Sequence, residues 1–356
     1  MRIERIIHVI DTHTQGNPTR VIIGGFPYIP GKTMIEKMNY VKKYLDDLVN
    51  GIIWEPRGHD DMGAAIIVPP VSEKADLGVI FRGATEYLAM CGHETIGVVT
   101  AVIETGIVKM EEPITTVTLD TPAGIVVAKA KVKDGSVMNV TLRNVPSFLY
   151  MENCSVNVQG LGEIVGDIAF GGNFYFLVDT SKVGIDIETI EIDKLINIAN
   201  KLREAVNKAY KVSHPLIPAI NEINATVFIA PPSHPKADRK LIYIRGTHID
   251  RSPCGTGTSA VMATLYAKGL LKKDVFISES ILGTLYKGKI VDKTKVGKFN
   301  AIIPEITGKA WIHGFSTIII DRTDPFKYGF RLREKIMKPI GIDPYSWIIN
   351  DGEEDG

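Results

Sequence analysis

One short pattern occurs twice in this chain, once in each half, and any fold must accommodate both copies. The first is Cys91-Gly-His-Glu-Thr95, followed by an apolar run that ends at Gly106. The second is Cys254-Gly-Thr-Gly-Thr258, followed by an apolar run that ends at Gly269. Each glycine stands fifteen positions after its cysteine. A small polar start, a helix-compatible run and a glycine stop mark an α-helix with the cysteine at its N-terminus. The repetition predicts two related lobes, each built on one such helix.

The rest of the chain reads mainly as strands. Alternating or apolar runs predict them at 3–10, 20–23, 64–68, 77–82, 115–119, 124–132 and 137–142, then at 164–169, 174–178, 225–229, 241–245, 287–291, 299–304 and 309–320. Two further helices are expected. One spans 33–50, with Met34, Met38, Val41, Leu45, Leu48 and Val49 at helical spacing; the other spans 188–210, with Leu195, Ile198, Leu202 and Ala205 on one face. Strands with a few well-separated helices indicate an α+β architecture, not a regular βαβ repeat. A break at Asn144-Val-Pro-Ser147 divides the chain into a first lobe, 1–145, and a second, 146–324. A C-terminal return to the first lobe over about 325–356 is compatible with this division, and its acidic tail Asp351–Gly356 reads as frayed.

Composition narrows the function. Lys+Arg and Asp+Glu both number 41, so the 356-residue chain has no net attraction to nucleic acid or to an anionic membrane. No window reaches the ~18 apolar residues that span a bilayer, and the N-terminus reads as a strand rather than a signal peptide. Three cysteines, Cys91, Cys154 and Cys254, do not make a disulfide framework. A cytoplasmic protein with free thiols is expected.

Two thiols at helix N-termini suggest a specific chemistry. A helix start presents N–H groups without acceptors and a partial positive charge. It lowers the pKa of a thiol placed there, and it binds anions such as a carboxylate. If the two lobes face each other, a substrate carboxylate sits between the helix ends with a thiol on either side of the adjoining carbon. One thiolate removes the α-proton; the opposite thiol returns a proton to the other face. N–H groups stabilise the charge that develops on the carboxylate. The scheme requires neither metal nor cofactor.

The motifs Met90-Cys-Gly-His-Glu-Thr-Ile-Gly97 and Asp250-Arg-Ser-Pro-Cys-Gly-Thr-Gly-Thr-Ser-Ala260 resemble the two catalytic motifs of the proline racemase family. So do Asp11-Thr-His-Thr-Gln-Gly16, Glu55-Pro-Arg-Gly-His-Asp-Asp-Met62, Asp120-Thr-Pro-Ala-Gly124, Asn144-Val-Pro-Ser-Phe148, Gly171-Gly-Asn-Phe174 and Glu279-Ser-Ile-Leu-Gly283, in the same order along the chain. The resemblance implies the diaminopimelate-epimerase-like fold: two pseudo-symmetric lobes, each a β-structure around a central helix. It also implies a homodimer that acts on an amino acid without pyridoxal phosphate. Cys91 and Cys254 become the acid/base pair. Gly92, His93, Gly255 and Thr256 become the carboxylate-holding positions, and His93 and Asp250 the contacts to the ring nitrogen. Some members are dehydratases with threonine in place of the second cysteine; Cys254 argues against that branch. Gly63, Ala225 and Ile244 fall at or near pocket-lining positions. An apolar wall there favours proline, whereas the small Gly63 leaves room for a ring substituent, so 4-hydroxyproline epimerisation is the alternative.

Plainer readings apply to other residues. Cys154 fits a small buried hydrophobe. His59-Asp60-Asp61 lacks further ligands at zinc spacing and reads as a loop lining the cleft, and His13 as a residue that orders its loop. Gly255-Thr-Gly-Thr-Ser259 matches neither phosphate-binding glycine motif. Two functions from other classes remain in view: a thiol redox protein, disfavoured because no cysteine has a near neighbour in sequence, and a non-catalytic amino-acid-binding module, which would not need matched thiols.

Overall fold

A computed structural model describes residues 2–332, except 85 and 274, together with the backbone of Ile336–Met337. The first half runs β1 (Ile3–Thr14), β2 (Asn17–Gly24), α1 (Met34–Tyr44), α2 (Asp46–Ile53), β3 (Gly63–Val68), β4 (Leu77–Arg82), β5 (Tyr87–Leu88), α3 (Gly92–Glu104), β6 (Ile114–Thr121), β7 (Gly124–Lys133) and β8 (Ser136–Arg143). After β9 (Phe148–Val158) the order repeats. The second half runs β10 (Gly162–Phe170), β11 (Phe174–Asp179), α4 (Thr180–Val183), α5 (Ile192–Ala209), β12 (Ile223–Ala230), β13 (Arg239–Arg245), β14 (His248–Ile249), α6 (Gly255–Ala267), β15 (Val275–Glu279), β16 (Leu285–Val296) and β17 (Phe299–Gly308). β18 (Ala310–Asp321), β19 (Phe330–Arg331) and β20 (Ile336–Met337) follow.

Strand pairing repeats as well. β1–β2 and β10–β11 are antiparallel, and β2–β3 and β11–β12 are parallel. β3–β4 and β12–β13 are antiparallel, and β4–β6 and β13–β15 are parallel. Each set ends in an antiparallel meander, β6–β7–β8 or β15–β16–β17. The remaining strands cross over: β9 pairs with β10, and β18 pairs with β1 from Asp321 to Ala310. β8 pairs with the end of β17, which joins the two sets.

Among the described residues, we propose a first lobe of 2–145 with 310–332, and a second of 146–309, on the basis of this pairing. It differs from a boundary at 324 because alternation identifies β18 as a strand without identifying its partner. The chain stays with the first set beyond β18. The Arg57 guanidinium bonds Asp324 Oδ2 at 3.0 Å and the carbonyls of Phe326 and Lys327 at 2.9 and 2.7 Å, and Phe330 bridges Glu55. The acidic tail Asp351–Gly356 lies outside the described residues, as does most of the expected return beyond 332.

At the centre of each set lies one helix. α3 is buried at every position from Gly92 to Ile103, and α6 from Gly255 to Thr264. A helix that is apolar all round has no solvent face and becomes core. Each fully buried Val or Ile contributes about 1.5–3 kcal/mol. The repeated threonines tie down the helix starts. Thr95 bonds the Cys91 carbonyl through both its N–H (3.0 Å) and its hydroxyl (2.7 Å). The Thr258 N–H bonds the Cys254 carbonyl at 2.7 Å, and its hydroxyl bonds the Pro253 carbonyl at 3.1 Å. The expected stops hold: Gly106 (φ +75°) and Gly269 (φ +68°) are both left-handed.

Some elements depart from the sequence reading. The helix expected over 33–50 is two helices that break at Leu45, which caps both. Its apolar stripe gives way to six consecutive buried residues, Leu48–Ile53, as the chain dives into the core. β9 and β15 were not anticipated. β9 alternates only at its far end, and β15 follows a lysine pair that masks its period. Among the described residues no helix is long and apolar enough to cross a membrane.

Candidate active site

α3 and α6 point their N-termini at each other. A methyl group on Gly92 would come within 2.8 Å of the Gly255 Cα, and one on Gly255 within 3.1 Å of the Gly92 Cα. Only glycine permits this approach. Cys91 and Cys254 are the residues that cap these helices. They are not mirror images. Cys91 is extended (φ −135°), whereas Cys254 is left-handed (φ +58°), a conformation costly for a residue with a Cβ. Its Sγ accepts the Gly257 N–H at 3.3 Å, which helps to hold it there.

The cleft at this meeting point is lined by Cys91, Gly92, His93, Asp250, Cys254, Gly255 and Thr256, all expected from the sequence. His93 Nδ1 lies 3.3 Å from Cys91 Sγ and 3.8 Å from Asp250 Oδ2. Asp250 is oriented by the Ser252 N–H, which donates to its other oxygen at 2.8 Å. Thr256 Oγ1 lies 2.6 Å from the Tyr175 hydroxyl and 3.9 Å from Cys254 Sγ. The Asn173 amide supports the first helix from the other lobe: it accepts the Ala89 N–H (3.1 Å) and donates to the Met90 carbonyl (2.7 Å).

Comparison with known proteins places the chain in a family. The family model described as proline racemase matches residues 9–331. The chain belongs to the proline racemase family. It is 46% identical over 335 residues to a proline racemase of Clostridioides difficile, covering 94% of this chain and all of that one. It is 42% identical over 333 residues to a 4-hydroxyproline 2-epimerase of Streptosporangium roseum, covering 93% and 100%. A crystal structure of a hydroxyproline epimerase from Agrobacterium vitis, with bound trans-4-hydroxy-L-proline, superposes with a TM-score of 0.88 at 34% identity, covering 94% of this chain and 98% of that one. As a member of the proline racemase family the chain is an isomerase of the racemase and epimerase class. Its two repeated sets form the diaminopimelate-epimerase-like α+β fold.

Of the three expected pocket positions, only Gly63 lines the cleft. Ala225 and Ile244 are fully buried in β12 and β13, within the sheet behind it. Nor is the wall near Gly63 apolar. A Cβ on Gly63 would overlap the carboxyl of Glu94, which fills that space. Glu94 is fully buried, and neither of its oxygens has a hydrogen-bond partner. Asn17, Asp61, Glu86, Tyr175, Tyr243 and His248 also line the cleft. Sequence reasoning missed them, except Asp61 in its loop, because they come from strands and turns distant along the chain.

The other loop residues take structural places. Asp61 accepts from Arg251 at 2.6 Å and lies 3.1 Å from His248 Nδ1. Although burial opposes ionisation, these two partners hold its carboxyl well below the usual range. His13 Nδ1 accepts the Gly16 N–H at 3.3 Å. Cys154 is buried in β9.

Electrostatics reverse one expectation from the sequence. Burial pushes the Cys91 thiol well up, with the carboxyls of Glu94 and Asp250 adding to it. Burial, reinforced by Asp250, does the same to Cys254. Desolvation between closed lobes therefore outweighs the helix ends. Burial also lowers His93 to about 4, so its ring is neutral, and raises the Glu94 carboxyl, with Glu86 adding to the effect. Cys91, His93 and Glu94 put a thiol, a ring nitrogen and a carboxyl oxygen within 4.8 Å of one another, donors that zinc accepts. We propose an acid–base array there instead, since the two ring nitrogens already face Asn17 and Cys91.

A raised thiol pKa means that the thiolate fraction grows with pH. Alkylation of Cys91 and Cys254 by iodoacetamide, followed by mass spectrometry, should be slow at pH 7 and accelerate as the pH rises past 9. Fast alkylation that levels off below neutral pH would show that the helix ends win.

Proposed function

We propose that this protein racemises proline by moving the α-proton between Cys91 and Cys254, without a cofactor. The observation that carries this reading is the head-on meeting of two helix N-termini, each capped by a thiol. The first-turn N–H groups of each helix lack intrahelical acceptors and form a cradle for a carboxylate. Gly92, His93, Gly255 and Thr256 supply it. Asp250, with His93 beside it, faces the ring nitrogen. One cysteine thiolate takes the α-proton: the C–H bond breaks, an S–H bond forms, and the electron pair passes into the carboxylate. The opposite thiol protonates the other face of the carbon and becomes the thiolate. The roles exchange in the reverse direction, and no redox change occurs. The Clostridioides difficile relative, a proline racemase, supports this substrate.

A second reading, 4-hydroxyproline 2-epimerisation, is favoured by one observation. Gly63 leaves space for the Glu94 carboxyl, whose oxygens accept no hydrogen bond and whose Oε1 lies 3.9 Å from His93 Nε2, and a ring hydroxyl directed there would gain a hydrogen bond that proline cannot make. The Streptosporangium roseum relative is such an epimerase.

The implied homodimer has support from an apolar sheet face. β18 exposes Trp311, Phe315 and Ile319, with Ile6 of β1 paired to Ile319 and also exposed. Free thiols suit a reducing compartment such as the cytoplasm.

The reduced protein is incubated in D2O, without added cofactor, with L-proline and separately with trans-4-hydroxy-L-proline; L-proline should yield α-deuterated D-proline, with little change in the hydroxyproline. Preferential formation of cis-4-hydroxy-D-proline would establish the second reading instead. Cys91→Ser and Cys254→Ser should each lower turnover by at least about a thousandfold while retaining ligand binding; unchanged behaviour would leave a binding module or a redox protein. Replacing Glu94 by Ala should lower kcat/KM for 4-hydroxyproline relative to proline by roughly tenfold, the scale of one lost hydrogen bond. An unchanged ratio would remove Glu94 from substrate selection. In size-exclusion chromatography with light scattering, Phe315→Glu should shift a dimer toward monomer, and a wild-type monomer would exclude the dimer.

A further inference from the structure

Asn17 opens β2 just after the turn at Gln15 (φ +49°) and Gly16 (φ +98°), and it is almost wholly buried in the cleft. Its carboxamide faces both lobes. On one side the backbone N–H of Arg251, in the second lobe, donates to Asn17 Oδ1 at 3.0 Å. A backbone N–H can only donate, so this bond fixes which end of the amide is oxygen. Nδ2 is therefore the end that lies 2.8 Å from His93 Nε2. An amide NH2 can only donate, so His93 Nε2 must accept and carries no proton. The ring is neutral, because burial lowers it to about 4, and its single proton then sits on Nδ1. Nδ1 is the nitrogen 3.3 Å from Cys91 Sγ.

Resting on the two-thiol reading, we propose that Asn17 is a positioning residue that sets the tautomer of His93, so that closed lobes present an N–H donor to the Cys91 thiolate. The amide is oriented only while Arg251 is in place. The same turn is docked on the second lobe by Gln15, whose Nε2 donates to the Leu285 carbonyl at 2.7 Å. Lobe closure and stabilisation of the thiolate are thereby one event. The thiolate needs this donor. Burial leaves its charge without solvent and Asp250 from the other lobe opposes it, while Glu94 on its own helix is held protonated and Cys254 is the thiol when Cys91 is the thiolate. Of the other titratable groups nearby, Tyr175 and Tyr286 are phenols held protonated by burial, and His248 acts on His93.

The test is ring-nitrogen NMR of the full-length, 15N-histidine-labelled protein near neutral pH, with His93→Gln to assign the signals. The wild type should show a protonated Nδ1 and a bare Nε2 at His93. Asn17→Asp, whose carboxylate only accepts, should place a proton on Nε2. Asn17→Leu adds no charge and removes the donor; it should move the rising limb of kcat/KM against pH by about one unit to higher pH, roughly a tenfold loss below that limb. Thermal melts report whether the variants remain folded. A wild-type His93 with its proton on Nε2 overturns the proposal, and so does an unshifted limb in a folded Asn17→Leu. Cys91→Ser, assayed in parallel, tests the underlying reading separately: retained inversion would overturn the two-thiol scheme, while the ring signals alone decide where the His93 proton lies.

Discussion

Two helix N-termini in contact are an unfavourable arrangement in isolation. Each end carries a partial positive charge of about half an electron, and the two face each other across Gly92 and Gly255. Sheet pairing on both sides and the burial of α3 and α6 hold them together. On the two-thiol reading proposed above, a substrate carboxylate is the anion that settles between them. The same junction explains the thiols. On that reading each cysteine stands beside the carbon that adjoins the carboxylate, and each thiol is held protonated because burial leaves its charge without solvent.

The faces that close over this junction are bound by polar contacts. Asp61 meets Arg251 and His248 across the cleft, and Glu86 accepts from the Tyr243 hydroxyl at 2.7 Å and lies 3.2 Å from the Arg245 guanidinium. Asn17 and Gln15 add two more ties. Such contacts at the cleft can be exchanged for water when the lobes part. The closed cleft is thus compatible with the entry and release of a small polar ligand.

The sequence carried the skeleton of this site but not its walls. The duplicated cysteine helices, their glycine stops and nearly all strands could be read because each is a local pattern: a period, a cap or a stop. Cys91, His93, Asp250 and Cys254 could be placed because they sit in or beside those patterns. Asn17, Glu86, Tyr175 and Tyr243 could not, since their function depends on which strands become neighbours, and alternation does not encode a partner. The same limit applies to β18. Glu94 is the instructive case. It was in plain view inside the first motif, yet its meaning depends on the missing side chain at Gly63, on another strand. The expected drop in thiol pKa failed for a related reason: a helix end is visible in sequence, but the depth of burial is not.

The crossing of β9 and β18 has a consequence for biosynthesis. β9 to β17, Phe148–Gly308, pair among themselves in one unbroken stretch. The opposite edge of β1 is different: its partner is β18, so Ile3 waits for Asp321. A chain emerging from the ribosome holds that first strand with an exposed edge through nearly the whole of its synthesis. The lobe that begins first is the one that is sealed last, and a nascent chain stopped short of residue 310 would present an open strand to any other that it met.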